Sequence, residues 1–150
     1  AGWSGRRAPA RPGGVMARRA RGAPLLLLLA ACAGPAPCPP GTEPATRAEL
    51  LLGRNRDGVP AVPDAAWAAF LDAEVTPRFP DGFTVLDAAG QWRDRHGVVE
   101  REASRVLLVL LPGTGMAAAA TRLEPVAEAY RRRFGQDAVG RTVQASCAGF

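Results

Sequence analysis

FTVLDAAGQWRDRHGVVEREASRVLLVLL, residues 83–111, decides the fold because it holds two strand-like runs on either side of a short turn. We predict strands at residues 83–92 and 98–111, joined directly as a hairpin. A hairpin excludes an all-helical fold, and it excludes a parallel sheet because neighbouring parallel strands need a long crossover. The second strand is long, so we expect a bend or a bulge near Gly90 or Ser104.

Two helices and two further strands flank this hairpin. Upstream, we predict a short strand at residues 49–53 and a helix at residues 63–76, where apolar residues recur at helical spacing. Downstream, we predict a second helix at residues 116–134 and a last strand at residues 138–145. Pro125 lies inside the second helix, so this helix either kinks there or begins its regular part there.

The element order β-α-β-β-α-β predicts an α+β fold of the ferredoxin-like type, with a four-stranded antiparallel sheet and two helices on one face. The second half of the long strand is apolar on both faces. The residues that point one way are Val106, Leu108 and Leu110, and those that point the other way are Leu107, Val109 and Leu111. We expect a symmetric homodimer to cover the face that the helices leave open. A folded-back tether, a bound ligand or shielding by large neighbouring side chains are the alternatives.

The chain also carries an export signal ahead of the domain. Residues 29–32 (LAAC) match the bacterial lipobox, and an arginine-rich segment followed by a leucine run precedes them in the order of a signal peptide. We interpret residues 16–31 as a lipoprotein signal peptide, Cys32 as the lipidated residue and residues 1–15 as a non-native upstream extension. The leucine run is too short to cross a bilayer. An ordinary secretory signal cut slightly later is the alternative.

Residues 32–46 are rich in proline and predict an extended tether, and residues 47–150 predict a single α+β domain. The formal net charge of +5 does not describe the mature protein, since six of the 19 Arg precede Cys32. From Cys32 onward the chain has 13 Arg against 14 acidic residues, so we expect no nucleic-acid partner. We expect a protein anchored by lipid in the bacterial envelope, on the outer membrane facing the periplasm if the host has two membranes.

Two further cysteines, Cys38 and Cys147, would lie in an oxidising compartment. In the ferredoxin-like plan the last strand lies antiparallel beside the first, which brings Cys147 close to the point where the chain enters the sheet. We therefore predict a Cys38–Cys147 disulfide. The alternative is two unpaired thiols, with Cys147 buried as a small apolar side chain.

A set of short motifs resembles a known family. PRFPDG at residues 77–82 is followed by TV at residues 84–85, GQW at residues 90–92, Glu102 and Ser104. This pattern resembles the signature of a family of short exported bacterial proteins that is classed only as a domain of unknown function. The resemblance implies export and a single domain, and it implies no activity.

The same motifs supply the candidate ligand-binding residues, which are Arg78, Gln91, Trp92, Glu102 and Ser104. Arginine, glutamine and serine suit a small anionic or polar ligand, on which the tryptophan ring can stack. The alternative is a structural network in which Arg78 pairs with Glu102 and Trp92 packs on the hairpin.

No catalytic residues, metal ligands or cofactor site are predicted. His96 is the sole histidine and lies in the predicted turn, and the chain has no lysine. The run of Arg131 to Arg133 is either a solvated helix end or a contact for anionic lipids. We expect a lipid-anchored binding or interaction module. The alternatives are a small-molecule enzyme on a dimeric ferredoxin-like scaffold and a plain secreted protein.

Overall fold

The computed structural model describes residues 37–94 and 96–150. The predicted signal peptide, the upstream extension and Cys32 lie outside these residues. In chain order the elements are β1 (Glu43–Gly53), β2 (Asn55–Arg56), β3 (Val59–Pro60), α1 (Asp64–Phe70), a π-helical turn (Leu71–Val75), β4 (Thr84–Arg93), β5 (Val99–Pro112), α2 (Met116–Phe134) and β6 (Gly140–Ala148).

The main sheet has four antiparallel strands in the order β4-β5-β1-β6. Side chains of both helices form one core with the same face of this sheet. The ferredoxin-like prediction is therefore confirmed. We call the other face, which no helix covers, the open face.

The hairpin that decided the fold runs without a break in register. β4 and β5 pair continuously from Thr84 opposite Leu108 to Arg93 opposite Val99. β5 also pairs continuously with β1. The bulge expected near Gly90 or Ser104 is absent from these ladders, because strands on both sides hold β5 in one register.

Alternation along the central strands separates the two faces of the sheet. The strand residues buried against the helices are Ala48, Leu50, Leu52, Leu107, Val109 and Leu111, all at most 7% exposed. An aromatic cluster from the two helices completes the core, and its tightest pair is Tyr130 and Phe134, with ring centroids 4.7 Å apart. The two helices thus bury this face along β1 and the second half of β5, whereas Ala89, Arg101 and Ala103 toward the hairpin turn stay exposed.

β1 is longer than predicted and begins at Glu43, so the last four residues assigned to the tether belong to the sheet. Pro44 hid this extension, since proline is disfavoured inside a strand. Proline is tolerated here because the pairing of β1 with β5 begins only at Ala45. β6 is likewise displaced toward the chain end, to Gly140–Ala148, because its last residues pair with the early part of β1.

A small hairpin lies between β1 and α1, at residues for which the sequence predicts no strand. β2 and β3 pair across Asp57 and Gly58, which both have positive φ angles of 51° and 77°. Asp-Gly favours this conformation, which suits a two-residue hairpin. The strands are too short to produce a readable alternation in the sequence.

The helices follow the predicted limits with two local differences. After Phe70 the first helix widens into a π-helical turn, in which the Thr76 N–H donates to the Leu71 carbonyl at 2.9 Å. α2 runs without interruption from Met116 through Pro125, so its regular part does not begin at the proline. Among the described residues, no helix is both long and apolar enough to span a membrane.

The predicted disulfide is confirmed. Cys38 and Cys147 are bonded, with their Cα atoms 5.7 Å apart. Cys147 is exposed, so the alternative of a buried free thiol is wrong. The bond fastens the segment before β1 to the end of β6.

Candidate functional site

Four of the five predicted ligand-binding residues, Gln91, Trp92, Glu102 and Ser104, line a depression of about 400 Å³ at the open face of the sheet. Trp92, Glu102 and Ser104 project from that face. Residues directly opposite each other in a ladder share a face of the sheet, and Trp92 lies opposite Glu100 while Ser104 lies opposite Ala88. Gln91 is one residue out of phase, so its side chain leaves from the opposite face. It contributes only to the rim at the edge of the sheet. We call this feature the glycine depression.

Three strands place a glycine on the open face around the depression. Gly53 lies opposite Ser104, Gly90 opposite Glu102 and Gly140 opposite Leu51. The Glu102 carboxylate lies over Gly53, and the Leu51 side chain lies over Gly140, where a Cβ would be 3.0 Å from it. The open space of the depression therefore lies above Ala88 and Gly90. The sequence analysis considered Gly90 only as a bend and passed over Gly53 and Gly140, although an isolated glycine in a strand often marks a close approach.

Glu102 is held in place by the backbone of the segment that follows β1. Its Oε2 accepts a hydrogen bond of 2.9 Å from the Asn55 N–H. This bond draws the carboxylate over Gly53, where a Cβ would lie 2.5 Å from Oε1 and 2.6 Å from Oε2. Among the described residues, no cation forms an ion pair with this carboxylate.

Two side chains from beyond the sheet fix the same segment. The Tyr130 hydroxyl donates to the Gly53 carbonyl at 2.8 Å, and Gln136 Nε2 donates to the Asn55 carbonyl at 2.8 Å. Burial raises the pKa of Tyr130 well above its usual value, so this hydroxyl remains a donor at physiological pH. Gln136 also lines the depression. The wall beside Glu102 is therefore anchored to α2 and to the residues after it.

Arg78, the fifth predicted residue, lies elsewhere. Its guanidinium donates to the Glu74 carbonyl at 2.7 Å and pairs with the Glu74 carboxylate at 2.9 Å. Its own carbonyl accepts a hydrogen bond from Arg122, near the start of α2 and therefore on the helix side of the sheet. The predicted Arg78–Glu102 pair is wrong, because the local partner four residues away captures the arginine.

A second cavity of about 460 Å³ adjoins the depression and shares Trp92, Glu102 and Gln136 with it. Its other acidic lining residues are Asp57, Asp94, Glu100 and Asp137, and among the described residues Arg56 is the one basic residue that lines it. The carboxylates make this end of the sheet strongly negative. The described residues contain no group of side chains arranged to hold a metal ion.

Beyond the depression, the open face carries a band of apolar residues on β4, β5 and β1. It carries Leu51 and Leu86, which are 45% and 46% exposed, together with Val106, Leu108 and Leu110 of β5, which are half-buried. We call these five residues the apolar strip. The prediction that both faces of the central strands are apolar is confirmed. No segment of residues 37–94 and 96–150 shields Leu51 and Leu86.

Charges of both signs flank the apolar strip on β1. Arg47 and Glu49 lie on the open face and form an ion pair of 2.6 Å. The hydrogen bond from Arg47, with a smaller one from Thr142, holds the pKa of the Glu49 carboxyl below its usual value. This edge of the strip therefore stays charged at neutral pH.

An arginine pair on the helix side has a structural role. Asp64, at the start of α1, accepts from Arg54 at 2.7 Å and from Arg105 at 3.2 Å. The Arg105 guanidinium also lies 5.5 Å from the centre of the Trp67 ring and 2.8 Å from the Asp87 carboxylate. These contacts fasten the first helix to β4 and β5.

The arginines at the end of α2 are partly neutralised. Arg131 and Arg132 pair with Glu128, and Arg133 lies over the ring of Phe134. α2 begins beside the end of β5 and ends near Gly53, so these arginines lie about 23–26 Å along the helix from its start. They are thus far from the disulfide end of the domain. His96 lies in the turn of the hairpin, where its N–H donates to Asp94.

Comparison with known structures supports the fold. A phage SAM lyase in complex with S-methyl-5'-thioadenosine has a TM-score of 0.55 at 14% identity, over 71% of this chain and 90% of the lyase chain. The apo form of a phage SAM lyase has a TM-score of 0.52 at 13% identity, over 73% and 91% of the two chains. A nitrogen regulatory PII-like protein from Thiomonas intermedia K12, bound to ADP, AMP and bicarbonate, has a TM-score of 0.40 at 17% identity, over 73% and 97%. At these identities the two SAM lyase structures show the fold alone, and the PII-like protein, at a TM-score of 0.40, is too dissimilar to support any conclusion.

Comparison with known sequences shows the family. No curated protein matches the chain. A family model described as "Protein of unknown function (DUF3574)" matches residues 47–150, which is the whole of the predicted domain. The chain therefore belongs to the DUF3574 family of proteins of unknown function.

Proposed function

We propose that this protein is a lipid-anchored binding module of the bacterial cell envelope, which docks a second copy of itself through the apolar strip. The observation that carries the proposal is the exposure of Leu51 and Leu86 on a face that no helix covers. Soluble proteins rarely leave contiguous apolar patches uncovered, and large patches mark interaction sites. A symmetric partner that uses the same face is the simplest cover.

Charge complementarity favours a second copy as the occupant. In a two-fold interface the same surface is used by both copies. If one residue of the first copy contacts a second residue of its partner, the same contact is also made with the two copies exchanged. Arg47 and Glu49 lie side by side along the strip. A two-fold axis that passes between these two residues brings the arginine of one copy to the glutamate of the other in both directions, whereas a strip flanked by one sign of charge would repel itself.

Dimerisation is tested by substituting an exposed residue of the strip. We expect the mature chain with Cys32→Ser to form a dimer at micromolar concentration, measured by light scattering. Leu86→Glu places a carboxylate in each half of the interface, so we expect dimerisation at least about tenfold weaker, a change of ~1.4 kcal/mol. Val59→Glu is the matched control, since Val59 is 60% exposed and lies in the small hairpin. A wild-type monomer, or equal effects of the two substitutions, contradicts the proposal.

Lipid anchoring rests on the sequence at residues 16–32. The signal-peptide pattern and the lipobox support it, and a confirmed disulfide agrees with an exported protein. We expect a diacylglyceryl group on the Cys32 thiol and an acyl group on its amine, because one acyl chain alone holds a protein only marginally at a membrane.

Mass spectrometry of the protein processed in a bacterial host checks the anchor. The expected product begins at Cys32 and carries the added lipid mass, and Cys32→Ser yields a protein without lipid that leaves the membrane fraction. An unmodified N-terminus beyond Cys32 in the wild-type protein points to ordinary secretion instead.

A further inference from the structure

We propose that the glycine depression binds a planar cationic group, such as an amidinium, a guanidinium or a protonated amino-heterocycle. The group would pair with Glu102 and lie beside the Trp92 ring. This site is distinct from the docking proposed above, although Leu51 and Val106 border both. The sequence had favoured an anionic ligand, but that expectation depended on Arg78.

The position of Glu102 is the first support. A hydrogen bond from the Asn55 N–H fixes one carboxylate oxygen at 2.9 Å. The other oxygen, Oε1, accepts no hydrogen bond from the described residues. A carboxylate pre-positioned by the backbone needs little reordering to accept a ligand, and it pairs most strongly with a cationic planar donor.

The shape of the depression is the second support. The open part of its floor lies over Ala88 and Gly90 of β4, where a Cβ on Gly90 would come no closer than 3.9 Å to the Ser104 side chain. Glu102 covers Gly53 and Leu51 covers Gly140. Trp92 is 37% exposed and stands at one side of this floor. A flat group can therefore lie over Ala88 and Gly90, direct its N–H groups at Glu102 and contact the aromatic ring, which also attracts cations.

The surrounding charge is the third support, and it sets the sign of the ligand. Asp57, Asp94 and Glu100 line the adjoining cavity, where Arg56 is the one basic lining residue in the part of the chain that the structure describes. The carboxylates raise the local concentration of cations and disfavour anions. Since Arg78 is engaged with Glu74, it supplies no compensating positive charge.

Three flat probes of the same size test the proposal: benzamidine, benzamide and benzoate, which are cationic, neutral and anionic. The protein is the mature chain with Cys32→Ser, and the readout is the NMR shift of the Trp92 indole N–H. Trp67 serves as an internal control because it is only 4% exposed. We expect saturable millimolar binding of benzamidine, binding of benzamide at least five times weaker and no binding of benzoate.

Variants connect the binding to the depression. Glu102→Gln keeps an acceptor for Asn55 but removes the charge, so it should abolish the preference for benzamidine over benzamide. Glu43→Gln, at an exposed position at the start of β1, should leave that preference unchanged. Ala88→Leu fills the depression without altering Glu102 and should abolish binding of benzamidine. Leu86→Glu, which disrupts the proposed dimer, should retain it, so that the two proposals fail independently.

Opposite results overturn the proposal. They are the absence of any saturable Trp92 shift with benzamidine, benzoate binding as tightly as benzamidine, or a Glu102→Gln variant that keeps the full preference while its spectrum shows a folded protein.

Discussion

Replacing Cys38 and Cys147 together by serine is expected to lower the free energy of unfolding by about 4 kcal/mol. The bond joins residues 109 positions apart. In the chain-entropy model a closed loop of that size restricts the unfolded chain by roughly 4–5 kcal/mol, and losses of about 2–5 kcal/mol are typical when a native disulfide is removed. A small domain has only ~5–15 kcal/mol of net stability. The loss is therefore a large fraction of the total.

Urea-induced unfolding followed by circular dichroism measures this loss. Cys147 is exposed, so a serine hydroxyl there meets solvent and adds no burial penalty. Cys32→Ser is the matched control, since it removes a cysteine outside the domain and should not shift the urea midpoint. A double-serine variant within about 1 kcal/mol of the control would show that the bond contributes little.

The second large effect on the free energy of unfolding is expected from alanine substitution of one of two neighbouring leucines on β5. Leu107 is fully buried under the helices, whereas Leu108 faces the open side and is half-buried. We expect Leu107→Ala to destabilise the domain by about 2–5 kcal/mol, because it leaves a cavity in a packed core. Leu108→Ala removes the same atoms one residue later and leaves solvent-accessible space, so we expect a loss below about 1.5 kcal/mol.

Thermal or urea unfolding of the two alanine variants gives the comparison directly. It is measured at a concentration low enough that the proposed dimer dissociates, because Leu108 belongs to the apolar strip. Equal losses for the two substitutions would mean that the open face is packed as tightly as the helix-covered face. That result would also remove the basis for the proposed dimer.

The fold was predictable because its signals are local. The direct connection between residues 83–92 and 98–111 required antiparallel neighbours, and helical spacing located α1 and α2. The disulfide followed from the topology alone, since the ferredoxin-like order places the end of β6 beside the start of β1. Where these local signals were weak, the predicted strands were wrong. The start of β1 was placed too late because of Pro44, and the small hairpin at Asp57 and Gly58 was not predicted.

The candidate site was predictable only in part. Trp92, Glu102 and Ser104 come together because β4 and β5 are a hairpin, in which sequence neighbours become neighbours in space. Arg78 was misplaced because no local rule ties the helix end to the hairpin. The spacing of Glu74 and Arg78, four residues apart across the end of the first helix, was the signal for its actual partner.

The sequence by itself determined the order of the elements, the two apolar faces of the central strands and the pairing of the cysteines. Only the tertiary structure decided that Gly53, Gly90 and Gly140 share one surface, and that Glu102 is held above it by Asn55. The physical reason is register. Alternation along one strand assigns a side chain to a face, but cross-strand pairing sets which residues of three strands meet on that face.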